Sequence, residues 1–508
     1  MESTYKINRS VILYTTVTTL LLPCLLFVLG WITPFISVPF SLLLIYASWR
    51  CCRNCISGWH PAYHFCVFSR KDLWQLIITL LILLLVVDLL GIVGHVPQAT
   101  DFAVRNAIYS ELQKSPWPIY SARNEYFIYY HAYWLPPAFL TKILPLNIAD
   151  YLLFLWVYIT LALAAINLFT KLRGRVLMFS FVFLLTGNLI ENAKFIPILI
   201  KHYGDIIPYS DIISNACLNF AVESYYRYLH VWSQFVYTFN HAIPLVLYVA
   251  LLLSGIVSAR YLLFVSALIF PASPLGVAPV FPILLYIIIK KRSMFHTFIR
   301  WENWVACLLV LLMLLYMLGQ SGGNSGVVMI WQNFEYWHKV TGTYGHFVKV
   351  HVRVLRYVTV SAAMIATLRI LTIPRLRKNI WYYSFVYLAI VLPIVWIGRW
   401  NNEFLFKGSL VLYMLFAWII TVQWKYASFK RRIVIILFTI LASFHVISDV
   451  SRRNLYTYTW DPVQMKANKR LEWGGTINRP DSDTYNNFWG INKFPEIFCD
   501  EPGKSIIK

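Results

Sequence analysis

Apolar runs recur along the whole chain, and many are long enough to cross a lipid bilayer. A membrane-spanning helix needs about 20 mostly apolar residues. The stretch 260–290 is interrupted by prolines, which break helices, so it predicts two short helices that meet at a turn. With that pair, the sequence predicts about 13 membrane segments. The other segments are expected at about 11–30, 35–49, 73–94, 150–170, 176–195, 242–258, 302–319, 353–372, 380–397, 407–423 and 431–447.

The composition supports the same class of protein. Of 508 residues, 59% are hydrophobic and 13% are charged. A soluble domain is about 45–50% apolar and about 25% charged, so a soluble core has no room for this apolar excess. The composition excludes a soluble enzyme, a disordered chain and a disulfide scaffold. We therefore expect an all-α polytopic membrane protein.

The distribution of charge predicts the orientation in the membrane. The net charge is +22. If the N-terminus is cytoplasmic, the inner loops carry nineteen Lys and Arg against one acid, Asp72. This asymmetry is typical of cytoplasmic loops. The tail 448–508 then lies on the outer side, where its nine basic and eight acidic residues nearly balance. We expect the bilayer, and no nucleic acid, as the partner of the basic residues.

These assignments divide the chain into three parts. Residues 1–72 form a helical hairpin with a basic cytoplasmic loop, residues 73–447 form a transmembrane core, and residues 448–508 form an extracytoplasmic tail. Function is expected on the outer side because the inner loops are mostly short. The outer loops of the core are 95–149, 196–241, 320–352 and 398–406.

The first outer loop contains a candidate catalytic acid, Asp101. It follows the third apolar run and precedes an amphipathic pattern over 101–114, for which Thr100 is a possible cap. A carboxylate here is suited to act as a general base toward an acceptor hydroxyl. The alternative is an acid that stabilises the positive end of a helix. Arg105, one turn further on, is a candidate for substrate binding.

The second outer loop ends in two candidate substrate-binding residues, Asn240 and His241. They lie at the edge of the following apolar run. A histidine at the membrane interface is suited to bind substrate or to transfer a proton. The alternative, equally weighted, is an interfacial histidine bonded to a backbone carbonyl.

A short outer turn near residue 400 contains two candidate phosphate-binding cations, Arg399 and Lys407. Charges at this depth are costly and usually have a partner or a ligand. Arg offers a planar fork and Lys a point charge to a phosphate. Asn402 and Glu403 are candidate substrate-binding residues in the same turn. The alternative is that Lys407 only pairs with Glu403 at the i,i+4 spacing of a helix.

The cysteines allow two further interpretations. Cys51, Cys52, Cys55 and Cys66 lie in or beside one inner loop with nearby histidines, a composition that can bind zinc but has irregular spacing. A palmitoylation site or plain reduced thiols are the favoured interpretations. A disulfide between Cys217 and Cys499 remains open because sequence does not give their separation. No nucleotide-binding or hydrolase motif occurs in a convincing context, which gives ATPase, Rossmann and common hydrolase functions no support, and we expect no cofactor. No second acid of a DxD-like pair lies near the start of the first outer loop, so no metal ligand is assigned.

The layout resembles the GT-C superfamily of polytopic membrane glycosyltransferases. The resemblance rests on Asp101 just after a span, the surface helix near 101–114, the stretch Tyr129 to Pro137 and the proline-broken pair around 271–279. It covers about residues 75–508. Here two helices precede the span that leads to the acid, and residues before about 72 are an addition to the family pattern.

The resemblance implies a function. Members of this superfamily take a sugar from a polyprenyl-phosphate donor and transfer it on the outer side of the membrane. By this resemblance the chain is expected to be an inverting glycosyltransferase, with a saccharide, lipid or protein as acceptor. Asp101 would then be the base, while Arg399 and Lys407 would stabilise the departing phosphate. The resemblance gives neither the sugar nor the acceptor.

Three other classes of function compete with this interpretation. A transporter or flippase of lipid-linked saccharides predicts internal repeats and charges at the bilayer midplane, and neither is apparent. A polymerase or ligase of lipid-linked saccharides shares the donor but has a different fold. A scaffold protein accounts for neither the long outer loops nor the cations at the outer turn.

Overall fold

The computed structural model is mostly helical. It describes residues 4–99, 101–121, 124–187, 230–319, 327–329, 358–397, 402–452, 458–469 and 489–507. The helices of that part of the chain are α1 (Arg9–Trp31), α2 (Pro34–Ser57), α3 (Arg70–Asp88), α4 (Phe102–Lys114), α5 (Leu135–Thr141), α6 (Ala149–Leu172), α7 (Val176–Leu185), α8 (Val231–Ser254), α9 (Leu262–Ala267), α10 (Pro274–Val277), α11 (Phe281–Lys290), α12 (Met294–Ile299), α13 (Trp301–Met317), α14 (Val358–Leu371), α15 (Ile380–Ile394), α16 (Glu403–Gln423), α17 (Phe429–Arg452) and α18 (Pro462–Asn468).

Several helices are long and apolar enough to cross a membrane. Among the described residues, five helical segments meet that description, and four further apolar helices are shorter, at 10–17 residues. Each predicted apolar segment contains a helix in the part that the structure describes. The chain is therefore mostly helical, and several of its helices have the length and apolarity of membrane-spanning helices. The five long segments are α1, α2, Leu146–Leu185, α8 and Glu403–Tyr426.

The helices α8 and α16 form the centre of the bundle. In each of these helices, 89% of the most apolar 18-residue stretch is buried inside the protein. The corresponding share for α2 is 44%. They pack against each other, and α8 also packs against α6. Outer helices instead expose apolar side chains such as Leu81 and Leu85 of α3, as expected for contact with lipid. Polar residues on α8 and α16 are therefore enclosed by protein.

The proline-interrupted stretch forms two helical pieces, as predicted. The first piece, α9, ends at Ala267, and a turn over 268–273 leads to Pro274 at the start of α10. A short 3₁₀ turn then connects α10 to α11. Proline suits a first helical position because its missing N–H has no partner there anyway.

The expectation of an all-α fold needs one correction. In the described parts of the chain, three short antiparallel pairs join segments far apart in sequence: β1 (Thr4–Asn8) with β2 (Phe65–Ser69), β3 (Tyr126–Phe127) with β6 (Trp489–Gly490), and β4 (Val327–Met329) with β5 (Val395–Ile397). Pairing satisfies the backbone N–H and C=O groups where the helices end. Apolar periodicity does not reveal such short strands.

The loops predicted to lie inside the cell meet at one end of the bundle. The guanidinium of Arg9 donates to the carbonyl oxygens of Tyr63 at 2.7 Å and Thr170 at 3.3 Å. Arg175 donates to the carbonyl oxygen of Thr421 at 3.2 Å. These contacts group the basic loops as the charge pattern requires. The side of the membrane that this end faces stays a prediction.

The tail packs onto the opposite end of the bundle. The amide of Gln98 donates to the carbonyl oxygen of Asn468 at 3.0 Å, and the amide of Cys499 donates to that of Trp31 at 3.0 Å. The described parts of residues 448–508 are therefore integrated with the core. We call this end of the bundle the predicted outer end.

Candidate functional site

Four separate parts of the chain meet at the predicted outer end of α8 and α16. These parts are the first turn of α4, the loop at Tyr129 and Tyr130, the segment of α8 around Asn240 and His241, and the first turn of α16. They bring together residues about three hundred positions apart in sequence. The described residues of this site are Asp101, Arg105, Tyr129, Tyr130, Asn240, His241, Glu403 and Lys407.

Asp101 begins α4, and its carboxylate is partly free. It occupies the N-cap position but makes no capping hydrogen bond with its side chain. Arg105 Nη2 lies 3.6 Å from Asp101 Oδ2, and 55% of the Asp101 side chain is exposed. Such an exposed, long pair contributes little stability. Thr100, the predicted cap, lies outside the described residues.

Arg105 connects α4 to α8. Its guanidinium is buried, donates to the carbonyl oxygen of Val236 at 2.9 Å, and lies over the rings of Phe102 and Phe239. Burial lowers the pKa of Arg105, and the charge of Asp101 opposes that shift. The guanidinium thus holds the start of α4 against the kinked part of α8.

The helix α8 is distorted just before its two candidate residues. Thr238 has non-helical backbone angles (φ −142°, ψ 36°), and Pro244 lies inside the helix. Proline has no N–H to donate to the carbonyl of Asn240, four residues earlier. The turn that contains Asn240 and His241 therefore lacks one backbone hydrogen bond of the helix, and contacts with neighbouring segments hold it in place.

The ring of His241 has a defined orientation. Its Nδ1 lies 2.7 Å from the carbonyl oxygen of Ala272, so Nδ1 carries a proton and donates it. Its Nε2 then accepts from the amide of Asn240 at 3.0 Å and lies 3.4 Å from the Tyr129 hydroxyl. The ring has features of both interpretations from the sequence. It donates to a backbone carbonyl, and its second nitrogen, Nε2, lies beside two polar residues of the site, Asn240 and Tyr129.

Lys407, near the start of α16, is the buried lysine of the site. It is 6% exposed, pairs with Glu403 at 3.1 Å, and lies 4.9 Å from the ring centroid of Tyr130. The i,i+4 pair that the sequence offered as an alternative is therefore present. Glu403 is 35% exposed, so water can solvate the carboxylate that pairs with the buried Lys407 ammonium.

Tyr129 lies close enough to both Lys407 and Arg105 for their charges to affect its hydroxyl. Burial raises the pKa of Tyr129 to about 12, and the positive charges of Lys407 and Arg105 oppose that rise. Both cations therefore act electrostatically on one phenol, next to the imidazole of His241. The sequence pattern does not single out Tyr129 and Tyr130 as site residues, although both lie in the aromatic stretch from Tyr129 to Pro137.

The loop of Tyr129 and Tyr130 is fixed by a third residue, His131. Its ring is fully buried against Phe27 and Trp31, and its Nδ1 donates to the Tyr129 carbonyl oxygen at 2.8 Å. Burial lowers the pKa of His131 to about 3, so the ring is neutral. Sequence alone gave no sign that this histidine would be internal.

Asn402 caps α16. Its Oδ1 accepts from the amide of Leu405 at 3.2 Å, and its Nδ2 donates to the carbonyl oxygen of Val395 at 2.9 Å. These bonds use the side chain to hold the turn, so we assign Asn402 a positioning role in place of the predicted substrate contact. Arg399 lies outside the described residues.

The described residues include no group of three or more His, Cys, Asp and Glu side chains arranged to hold a metal ion. Cys51, Cys52 and Cys55 are buried thiols of α2, and Cys66 is a buried thiol of β2. Cys499 is a buried thiol as well, and Cys217, its possible partner, lies outside the described residues.

Comparison with known proteins adds no assignment. No family model, curated protein or solved structure matches the chain.

Proposed function

We propose that this chain is a membrane glycosyltransferase that transfers a sugar from a polyprenyl-phosphate donor to a saccharide, lipid or protein acceptor. The observation that carries the proposal is the meeting of a partly exposed carboxylate, a buried lysine and an oriented histidine at one end of the bundle. Glycosyl transfer needs a base for the acceptor and positive charge for the leaving phosphate.

Asp101 is proposed as the base. Its carboxylate is exposed enough to meet an acceptor from the aqueous side, and no capping bond occupies it. It would accept the proton of the acceptor hydroxyl as that oxygen attacks the anomeric carbon of the sugar. Attack on the face opposite the phosphate inverts the configuration. Arg105, held by Val236, keeps the carboxylate near the site.

Lys407 is proposed to stabilise the departing phosphate. As the bond between the sugar and the phosphate oxygen breaks, negative charge grows on that oxygen. A buried ammonium stabilises such charge more strongly than an exposed one, because water screens it less. Lys407 would exchange its bond to Glu403 for one to phosphate. Arg399 is proposed as a second cation on sequence position alone.

Asn240 and His241 are proposed to bind sugar hydroxyls. The Nε2 of His241 accepts one hydrogen bond, because Nδ1 holds the proton, and a sugar hydroxyl would take the place of the Asn240 amide as its donor. Sugar hydroxyls donate such bonds, and they also stack on aromatic faces such as those of Tyr129 and Tyr130. Glu403, released from Lys407, is a second acceptor for them.

We also propose a GT-C type core with about 13 membrane segments. The N-terminus would be cytoplasmic and the site extracytoplasmic. Helices in each predicted segment and the grouping of basic loops at one end support this arrangement.

The test is turnover by the purified protein in liposomes. Polyprenyl-phosphate sugars with several labelled hexoses and pentoses are supplied with an acceptor mixture. We expect release of polyprenyl phosphate coupled to a labelled product for one donor. Movement of the intact donor between leaflets without release would instead indicate a transporter and contradict the proposal.

A further inference from the structure

A second polar cluster lies apart from the site above, where α3 ends. Asp88 Oδ1 lies 2.5 Å from His95 Nδ1, and the hydroxyl of Tyr458 donates to Asp88 Oδ2 at 2.6 Å. The ring of Trp460 packs on His95, with centroids 4.1 Å apart. Both carboxylate oxygens of Asp88 are thus used, and the cluster joins the end of α3 to the tail.

The cluster closes one end of an apolar groove between α3 and α6. The groove has a volume of about 430 Å³ and is lined mainly by apolar side chains, including Leu81, Leu84, Leu85 and Phe154. Leu81 is 59% exposed and Leu85 is 55% exposed, so the groove opens onto the apolar face of the bundle. On a membrane protein this face meets hydrocarbon.

The polar end of the groove offers one hydrogen-bond acceptor. His95 donates through Nδ1 to Asp88, and in this tautomer the lone pair of the ring lies on Nε2. His95 is 4% exposed, and among the described residues Nε2 has no hydrogen-bond partner. A buried polar atom without a partner is costly, and a ligand that donates to it removes that cost.

The charges around the groove decide between ligand classes. The described residues that line it include no Lys or Arg, and its one carboxylate is Asp88. A phosphate would therefore meet the negative Asp88 and the lone pair on His95 Nε2, which is unfavourable. A hydroxyl both donates to Nε2 and carries no charge.

We propose that this groove binds an amphiphile with a long hydrocarbon tail and a hydroxyl headgroup, whose hydroxyl donates to His95 Nε2. The tail lies along α3 and α6, and the aromatic rings of Tyr458 and Trp460 cover the headgroup at the interface, where such rings are favoured. This inference does not depend on the proposed glycosyl transfer, because binding needs no turnover.

The test uses photoreactive probes with the protein in lipid nanodiscs. Three probes share one long tail with a diazirine and end in a hydroxyl, a methyl ether or a phosphate. We expect the alcohol to label the α3 and α6 peptides about tenfold more than the ether, as one hydrogen bond to a buried atom allows. Equal labelling by alcohol and ether, or stronger labelling by the phosphate, would overturn the proposal.

Two pairs of variants locate the contact. His95→Asn keeps a donor for Asp88 but lacks an atom at Nε2, so alcohol labelling should fall to the ether level, whereas His95→Gln places an amide near Nε2 and should restore part of it. Leu84→Trp should fill the groove and remove labelling by every probe. Ile159→Trp, on the exposed face of α6 outside the groove lining, should not. Wild-type alcohol labelling in the His95→Asn or Leu84→Trp protein would overturn the proposal.

Discussion

At the scale of single residues, the site depends on how charges are paired. Asp101 has a distant cation and water, whereas Lys407 is buried against Glu403 and the Tyr130 ring. Removing one member of a buried pair is more costly than removing an exposed one. Asp101 can therefore be changed with little effect on folding, whereas a change at Lys407 must be measured together with its effect on stability.

Lys407→Gln should lower kcat/KM for a polyprenyl-phosphate sugar by about tenfold or more, since a hydrogen bond to a charged group contributes about 1.5–3 kcal/mol. Lys504→Gln is the matched control, because Lys504 is an exposed cation of the tail that pairs with Asp500. It should keep the wild-type kcat/KM. Donor titrations in proteoliposomes, with a melting curve for each variant, measure both. A wild-type kcat/KM in the folded Lys407→Gln protein would mean that Lys407 only anchors the helix through its pair with Glu403.

His131 should make stability depend on pH. Its folded pKa of about 3 lies below the ordinary 6.5, so the unfolded chain binds the proton between those values. Stability from the neutral ring is complete above pH 6.5 and is lost as pH falls toward 3, by up to about 1.4 kcal/mol per pH unit.

The measurement is the melting temperature between pH 7.5 and pH 4.5. His131→Asn keeps a donor for the Tyr129 carbonyl but does not titrate, so its melting temperature should fall less than that of the wild type over this range. Parallel curves for the two proteins would contradict the assigned burial of a neutral ring.

At the scale of elements, apolar runs predicted the positions of the helices because about 20 apolar residues leave few alternatives in a bilayer. The same pattern did not reveal the distortion at Thr238, since that residue interrupts no apolar run. It also missed the pairing of Asp88 with Tyr458, which lie 370 positions apart. The candidate residues on α4, α8 and α16 were found one by one, and only the packing of these helices showed which of them meet.

Asn402→Ala tests the cap of α16. Loss of an N-cap costs about 1 kcal/mol, and the bond to Val395 is lost as well. Asn379→Ala removes the corresponding cap of α15, which accepts from the amide of Trp381 at 3.1 Å away from the site. Both variants should lower the melting temperature, and only Asn402→Ala should also lower the rate of transfer. Equal rates for the two variants would remove Asn402 from the positioning of the site.

At the scale of the whole molecule, the account requires the two ends of the bundle to face opposite sides of the membrane. Sorting nineteen basic residues into loops predicted the grouping that the contacts of Arg9 and Arg175 show. Sequence could not predict that the tail packs on the core, because that contact depends on backbone bonds such as Gln98 to Asn468.

Cysteine labelling in intact cells tests the orientation. Ser57→Cys places an exposed thiol at the predicted inner end, and Ala467→Cys places one in the tail. A membrane-impermeant maleimide should label only the Ala467→Cys protein before lysis and both afterward. The wild type gives the background from its own cysteines, including the exposed Cys307. Labelling of Ser57→Cys alone in intact cells would reverse the topology.

The central claim is that Asp101 acts as the base in glycosyl transfer. The most direct measurement is the rate of sugar transfer by wild-type and Asp101→Asn protein in the same proteoliposomes. General base catalysis contributes about 10²–10⁴-fold, so the rate should fall by at least about a hundredfold. The melting temperature should hardly change, because the Asp101 side chain is mostly exposed and its separation from Arg105 is long. Asp500→Asn, which alters an exposed acid of the tail, should transfer at the wild-type rate. Near-wild-type transfer by the folded Asp101→Asn protein would contradict the account.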